Sequence, residues 1–366
     1  MDALSQGQRR RIIPSPPPAP DRQMLPSLQL GRFLAALAVV CFHANLTLAL
    51  PKYYGSEVLP LARAGYAGVE YFFVLSGFII VVAHWRDLTG TPRPAAFAWK
   101  RFRRIFPPLW VVLLPLAVLV LAKPEFSPLP GVGPVDILWS FALLPPRDAY
   151  QHEPLLSVLW TLRFEMLFYA LFLLFLLRRG AAIVVGAAWL LASAASLAGE
   201  GESLHPFWIA PFPLLFAIGA GAGWLHARQV RLAWPPLLGA GGVLLALAAT
   251  IAMRAPGGFH AAWLVLLFGA GAGLCIVGAA ARDRARGGQG GSRIATFLGD
   301  ASYAIYLVHF PLLSILCKLA VRLMPGVPAS AVFAGAVAAS VAAGVAFHVA
   351  VERPLLRWIP ARLPGQ

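Results

Sequence analysis

Arg32 and His43 stand eleven residues apart in the apolar run GRFLAALAVVCFH, residues 31–43, with nothing charged between them. Eleven steps of about 100° make three turns plus roughly 20°, so both side chains share one helical face, about 16 Å apart along the axis. A guanidinium suits an anion such as phosphate. An imidazole titrates near neutral pH and can serve as a general base. In lipid, each is costly without a partner. An arginine near a helix start is commonly an interfacial snorkel, and a lone histidine a packing residue. The shared face favours a common cavity instead.

Other polar residues interrupt apolar runs in the same way. KRFRRIFPP, residues 100–108, holds Arg101 and Arg104 three apart on one face, a pair suited to phosphate, with Arg103 as an interfacial anchor. LWTLRFEMLFY carries Glu165 about two turns into an apolar helix, where a carboxylate needs a proton, a cation or water. Arg163, two residues earlier, points to another face. GDASYAIYLVHFP, residues 299–311, puts Ser302, Tyr306 and His309 on one stripe, with Tyr303 beside it. GVEYFFVLSGFII, residues 68–80, sets Ser76 and Gly77 in an aromatic run, where Gly77 reads as a close helix contact. VERP, residues 351–354, places Glu352 at the end of the last apolar run.

The elements that position these residues are membrane spans. The chain has 366 residues, 59% hydrophobic and 12% charged, with mean hydropathy +0.73. A spanning helix needs about 20 mostly apolar residues. Ten runs qualify: about 28–50, 67–84, 105–122, 158–178, 181–198, 207–226, 235–253, 260–281, 298–322 and 329–350. The shorter run 135–145 reads as interfacial or re-entrant. With the N-terminus inside, inner segments hold 21 of the 30 Lys and Arg and outer segments seven. That bias predicts both termini in the cytoplasm. It also accounts for the net charge of +15 without nucleic acid, because the basic residues sit at helix ends rather than in one patch. The expected fold is all-α, a polytopic integral membrane protein of about ten helices. Residues 1–26, containing PSPPPAP, read as a disordered cytoplasmic tail, and 359–366 as a short one. ARGGQGGS, residues 285–292, reads as a flexible inner loop. Cys41, Cys275 and Cys317 fall within spans with no metal-ligand spacing and read as packing residues.

Taken in order, these motifs resemble the membrane-bound acyltransferase 3 family over roughly residues 27–358. They are Arg32 with His43, GVEYFFVLSGF, Arg101-x-x-Arg104 leading into RIFP, LWTLRFEMLFY, LGDASYAIYLVH and VERP. Two positions depart from the family pattern. The first span opens LQLGR, with Gln29 near the place of an acid, which leaves the support of Arg32 open; Met166 stands where members commonly carry a second acid after Glu165. The resemblance implies an acyl-CoA donor, commonly acetyl-CoA, and an acceptor outside the cytoplasm; no metal is expected.

The expectation is therefore a multi-pass O-acyltransferase of the bacterial inner membrane. It would move an acyl group from cytoplasmic acyl-CoA to a hydroxyl of a carbohydrate or glycoconjugate at the outer face. His43 would act as the base, with Glu165 orienting it or placing the acceptor. Arg32, Arg101, Arg104 and Tyr303 would hold the donor, and Ser76, Tyr306, His309 and Glu352 would line the substrate path. The alternatives are acylation of a small molecule or lipid, and a transporter without covalent chemistry.

Overall fold

Proline opens many of the helices, because its fixed φ and missing N–H suit a first turn. The computed structural model describes residues 25–126, 131–146, 155–198, 207–254, 261–289 and 291–361. Most of the Pro-rich leader, residues 1–24, and the last residues, 362–366, lie outside them. Helix α1 is Pro26–Leu48. A 3₁₀ segment, Pro60–Tyr66, runs into α2, Ala67–Ala83. The short α3, Trp85–Thr89, leads to α4, Pro94–Ala122. Then come α5 (Pro134–Phe141), α6 (Leu159–Leu177), α7 (Arg179–Ala195), α8 (Phe212–Ala227) and α9 (Trp234–Arg254). The last are α10 (Ala262–Ala285), α11 (Arg293–Asp300), α12 (Ser302–Leu323), α13 (Ala329–Phe347) and α14 (Arg353–Trp358). A π-helical turn, His348–Glu352, joins the last two.

Among the described residues the fold is all-α, with no strand, and nine helices are long and apolar enough to cross a membrane. The tenth expected span is α7, which has 17 residues. Residues 196–198 leave α-helical geometry in a 3₁₀ turn and shorten it. The expected third span also shifts. Pro94 starts α4 eleven residues before position 105, so the basic run KRFRR lies inside the helix rather than ahead of it. The run 135–145 forms only the eight-residue α5, followed by Leu143 at positive φ.

Helix α2 is the most buried span and the hub of the bundle. It meets α8 backbone to backbone, through Gly77 on one side and Gly219 and Gly223 on the other. A Cβ at Gly223 would lie 2.7 Å from the Phe78 carbonyl oxygen, and a Cβ at Gly219 would collide with the Val74 carbonyl. Gly219 and Gly223 are four apart, the small-residue spacing that lets membrane helices approach closely without a hydrophobic driving force. The start of α1 is tied to the end of α10. The buried Asp283 accepts from the Ser27 amide at 2.9 Å and from its hydroxyl at 2.5 Å. A carboxylate there satisfies a free first-turn N–H and complements the positive helix end.

The glycine contact yields the first prediction. Gly219→Leu should abolish the monodisperse peak of detergent-extracted protein in fluorescence-detected size exclusion. Gly221→Leu should leave the peak intact, because Gly221 is exposed and a Cβ there meets nothing within 4 Å. Equal behaviour of the two variants would refute the α2–α8 contact as the bundle's keystone.

Candidate active site

Helices α1, α2, α4, α6 and α12 enclose a cavity of about 380 Å³. Arg32, Arg101 and Arg104 line it together, brought there from two helices far apart in sequence. Arg32 and Arg101 are half-buried and Arg104 is exposed. Among the described residues, none of the three has a carboxylate within 4.0 Å. Three guanidiniums share one space without a paired anion. In addition, Nε of Arg101 and the hydroxyl of Ser302, which also lines the cavity, are buried without a hydrogen-bond partner. Such an arrangement leaves charge and donors available for an anionic ligand.

Neutral groups aim these cations. Gln29, one turn before Arg32, accepts from its guanidinium at 2.9 Å and donates to Asp300 at 3.1 Å. An amide thus supports Arg32 where the family pattern has an acid, and the local charge of Arg32 is left in place. In α4, Pro107 and Pro108 have no N–H to give the carbonyls of Arg103 and Arg104. Tyr303 braces this weakened turn by donating to the Ile105 carbonyl at 2.9 Å.

Glu165 belongs to this same cavity. Its carboxylate accepts from Ser76 at 3.3 Å and from Tyr169. The Arg101 guanidinium lies 5.2 Å from the Tyr169 ring centre. Thr161, Glu165 and Tyr169 follow each other at intervals of four on α6 and all line the cavity. The Thr161 and Tyr306 hydroxyls lie 2.7 Å apart and both face the Val158 carbonyl, at 2.9 and 3.3 Å.

Beyond Tyr306 the path turns to histidine. The Tyr306 and His309 ring centres are 5.7 Å apart, and those of His309 and His43 are 5.1 Å apart. His309 Nε2 and His43 Nδ1 are 3.0 Å apart. The tautomers follow from the partners. His309 Nδ1 faces the carbonyls of Tyr306 at 2.7 Å and Ile305 at 3.2 Å, so it carries the proton. Neutral His309 then presents a lone pair on Nε2, and His43 donates to it from Nδ1. This leaves Nε2 of His43 with a free lone pair, the form a general base needs.

Of the ten residues singled out from the sequence, the cavity gathers seven: Arg32, Ser76, Arg101, Arg104, Glu165, Tyr303 and Tyr306. His43 and His309 pair with each other behind it. Glu165 bonds Ser76 and Tyr169, while His309 bonds His43; of the two parts expected of Glu165, orienting His43 or placing the acceptor, His309 stands where the first would be filled. Glu352 lies in the π-helical turn, where His348 Nδ1 donates to it at 2.7 Å, and its charge acts on Arg32 and Tyr303 from outside the lining. Thr161 and Tyr169 were missed, although their spacing from Glu165 marks them as sharing its face. Among the described residues no cluster of His, Cys, Asp and Glu could hold a metal ion.

An all-α bundle with a cationic cavity leading to a tautomerically fixed histidine pair defines a polytopic membrane enzyme. The chain belongs to the acyltransferase 3 family, whose acyltransferase domain matches residues 25–349. It is 33% identical to the exopolysaccharide production protein ExoZ of Rhizobium meliloti, over 80% of this chain and 90% of that one. It is 28% identical to the acyltransferase MdmB of Streptomyces mycarofaciens, over 93% of this chain and 94% of that one. A shorter stretch, 26% of this chain and 14% of the relative, is 29% identical to the peptidoglycan O-acetyltransferase OatA of Listeria monocytogenes. No solved structure matches.

The support of Arg32 is testable through acyl transfer. Gln29→Leu removes the acceptor, and transfer should fall several-fold in protein that still inserts normally. Gln29→Glu keeps an acceptor for Arg32 but pairs its charge and faces Asp300 with a second anion, so it should transfer better than Gln29→Leu and less well than the native protein. Full activity in Gln29→Leu would remove Gln29 from the support of Arg32.

Proposed function

We propose that this acyltransferase takes an acyl group, acetyl being the expected one, from cytoplasmic acyl-CoA and delivers it to a hydroxyl of a carbohydrate or glycoconjugate at the outer face of the bacterial inner membrane. One observation carries the reading: three guanidiniums with no ion-pair partner among the described residues enter a cavity whose wall includes Tyr306, which abuts the His309–His43 pair. Coenzyme A has phosphates at one end and a thioester at the other. Arg32, Arg101 and Arg104 suit the phosphates, and the unpartnered donors of Arg101 and Ser302 suit a polar ligand beside them. The apolar lining from Leu28, Phe72 and Phe73 suits the arm between.

In this reading His43 Nε2 accepts the proton of the acceptor hydroxyl as its oxygen attacks the thioester carbon. The carbon–sulfur bond then breaks and the thiolate leaves as coenzyme A after protonation. His309 holds the His43 ring and stabilises its protonated form through the Nδ1 bond. The names of two relatives, one concerned with exopolysaccharide and one with peptidoglycan, favour a sugar polymer or its precursor as acceptor.

Purified protein given acetyl-CoA labelled in the acetyl group should transfer the label to a glycan fraction of the host cell. A transporter would neither hydrolyse nor transfer it. His43→Ala should insert normally and lose on the order of 10²-fold or more in transfer, the usual scale for a general base. His309→Gln should retain more activity than His309→Ala, because its amide oxygen can still accept from His43 Nδ1. Retained transfer in well-inserted His43→Ala would take His43 out of the chemistry.

Sidedness is the second test. The charge bias supports an inward-facing Arg101 and Arg104 end, with donor and acceptor entering from opposite faces. In a protein lacking Cys41, Cys275 and Cys317, Ser56→Cys should react with an impermeant thiol reagent on intact cells, and Gly90→Cys should not. Both positions are exposed. Labelling at position 90 alone would invert the topology and end the cross-membrane scheme.

A further inference from the structure

We propose that His84, braced by Asp87, is a positioning residue that aims the Arg101 guanidinium into the cavity without neutralising it, and that releases Arg101 on taking up a proton. The inference rests on the reading of Arg101 as a ligand of the donor's phosphates. His84 and Asp87, both 4% exposed, sit where α2 ends and α3 begins, behind the cavity wall. The Arg101 guanidinium lies 3.1 Å from His84 Nε2, and His84 Nδ1 lies 2.9 Å from Asp87 Oδ2. Arg93, the residue before α4, donates to the other Asp87 oxygen at 2.9 Å.

The partners fix the protonation state. A guanidinium only donates, so Nε2 of His84 must hold a lone pair. The Asp87 carboxylate accepts, so Nδ1 must hold the proton. Only the neutral Nδ1–H tautomer satisfies both. The ring cannot swing away, because Phe97 packs edge-on at 5.0 Å and Phe172 at 5.8 Å.

A neutral acceptor has a specific merit here. A carboxylate in the place of His84 would also orient Arg101, but it would form an ion pair and compete with an incoming phosphate. Imidazole fixes the direction of the guanidinium and leaves its charge uncompensated. Arg101 keeps a buried Nε without a partner for the ligand.

Protonation undoes the contact. His84⁺ would present an N–H to a cation, turning a hydrogen bond into a repulsion. The charged groups that act on His84 are Asp87 on α3, Arg101 and Lys100 on α4, and Arg93 through Asp87; α6 contributes the Phe172 ring. Burial pushes the His84 pKa down. The hydrogen bond and charge of Asp87 pull it up, Arg101 and Lys100 push it down again, and the balance lies below the ordinary histidine value. The ring is therefore neutral at pH 7 and charges only in more acid solution.

The test is the dissociation constant for coenzyme A, measured on full-length purified protein in nanodiscs by calorimetry between pH 5 and 8. At pH 7.5, His84→Ala should weaken binding by about tenfold, the scale of one lost charge-assisted hydrogen bond. His84→Gln offers an amide oxygen to Arg101 but no titration, so it should bind as the native protein does at pH 7.5. It should also lose part of the native weakening at low pH. The phosphate of the ligand itself titrates near pH 6 and contributes equally to both proteins, so the difference between their curves belongs to His84. Native affinity in His84→Ala, or an identical acid limb in native protein and His84→Gln, would overturn the proposal. Arg101→Lys separates the two layers: if it binds coenzyme A normally, the phosphate reading of Arg101 fails and the positioning role falls with it. If only Arg101→Lys weakens binding, the phosphate reading stands and His84 has no part in it.

Discussion

The rest of the site is arranged around three guanidiniums that share a cavity with no carboxylate among the described residues paired to any of them. Like charges repel, and a charge removed from water demands compensation. The fold meets this demand with dipoles rather than anions. Gln29 holds Arg32 by an amide oxygen, and His84 holds Arg101 by an imidazole nitrogen. Two formal negative charges stand one step back, Asp300 behind Gln29 and Asp87 behind His84, and Glu165, which lines the cavity, is bonded to the hydroxyls of Tyr169 and Ser76. The cavity stays electropositive while its walls remain hydrogen-bonded.

Geometry of this kind requires rigid helix ends, and the sequence supplies them locally. Asp283 fastens the first turn of α1, so Gln29 and Arg32 begin from a fixed point. Pro107 and Pro108 interrupt the hydrogen-bond ladder of α4 directly after Arg104, and Tyr303 ties that turn to α12. The glycine contact between α2 and α8 draws α2 into the centre of the bundle, where one of its faces carries Ser76 to the cavity and its end carries His84. Packing far from the arginines thus decides where they point.

Much of this was legible in the sequence for a reason specific to membranes. Apolar residues report only the lipid, so a polar residue inside a span stands out, and seven of the ten residues chosen on that ground line one cavity. Lengths were less legible. The end of α7 and the start of α4 depend on local geometry at Ser196 and Pro94 that hydropathy does not register. Partnership was the least legible. Helical spacing relates residues on one helix, so Thr161, Glu165 and Tyr169 were readable as a face. That His43 meets His309, rather than Glu165, depends on how α1 and α12 cross. His84 and Asp87 were hidden differently: HWRD lies at the end of a span among basic residues, where a polar side chain looks like an ordinary interfacial group.

The pairing of His43 with a second histidine, rather than with a carboxylate, follows from the same economy of charge. A carboxylate beside His43 would raise its basicity and favour the imidazolium before substrate arrives. It would also place an anion close to the path of the acyl donor that, in the proposed function, the arginines recognise by negative charge. Neutral His309 avoids both effects. Its own Nδ1 proton is fixed by two backbone carbonyls, so its Nε2 can only accept, and the base is oriented by a group with no charge. In the proposed function Arg101 and His43 stand at opposite ends of the path, one as a cation and one as a base. Both are held by a neutral imidazole whose other nitrogen is committed to an oxygen, Asp87 in one case and the α12 backbone in the other. In a medium that penalises every added charge, a fixed tautomer can set direction at both ends without adding one.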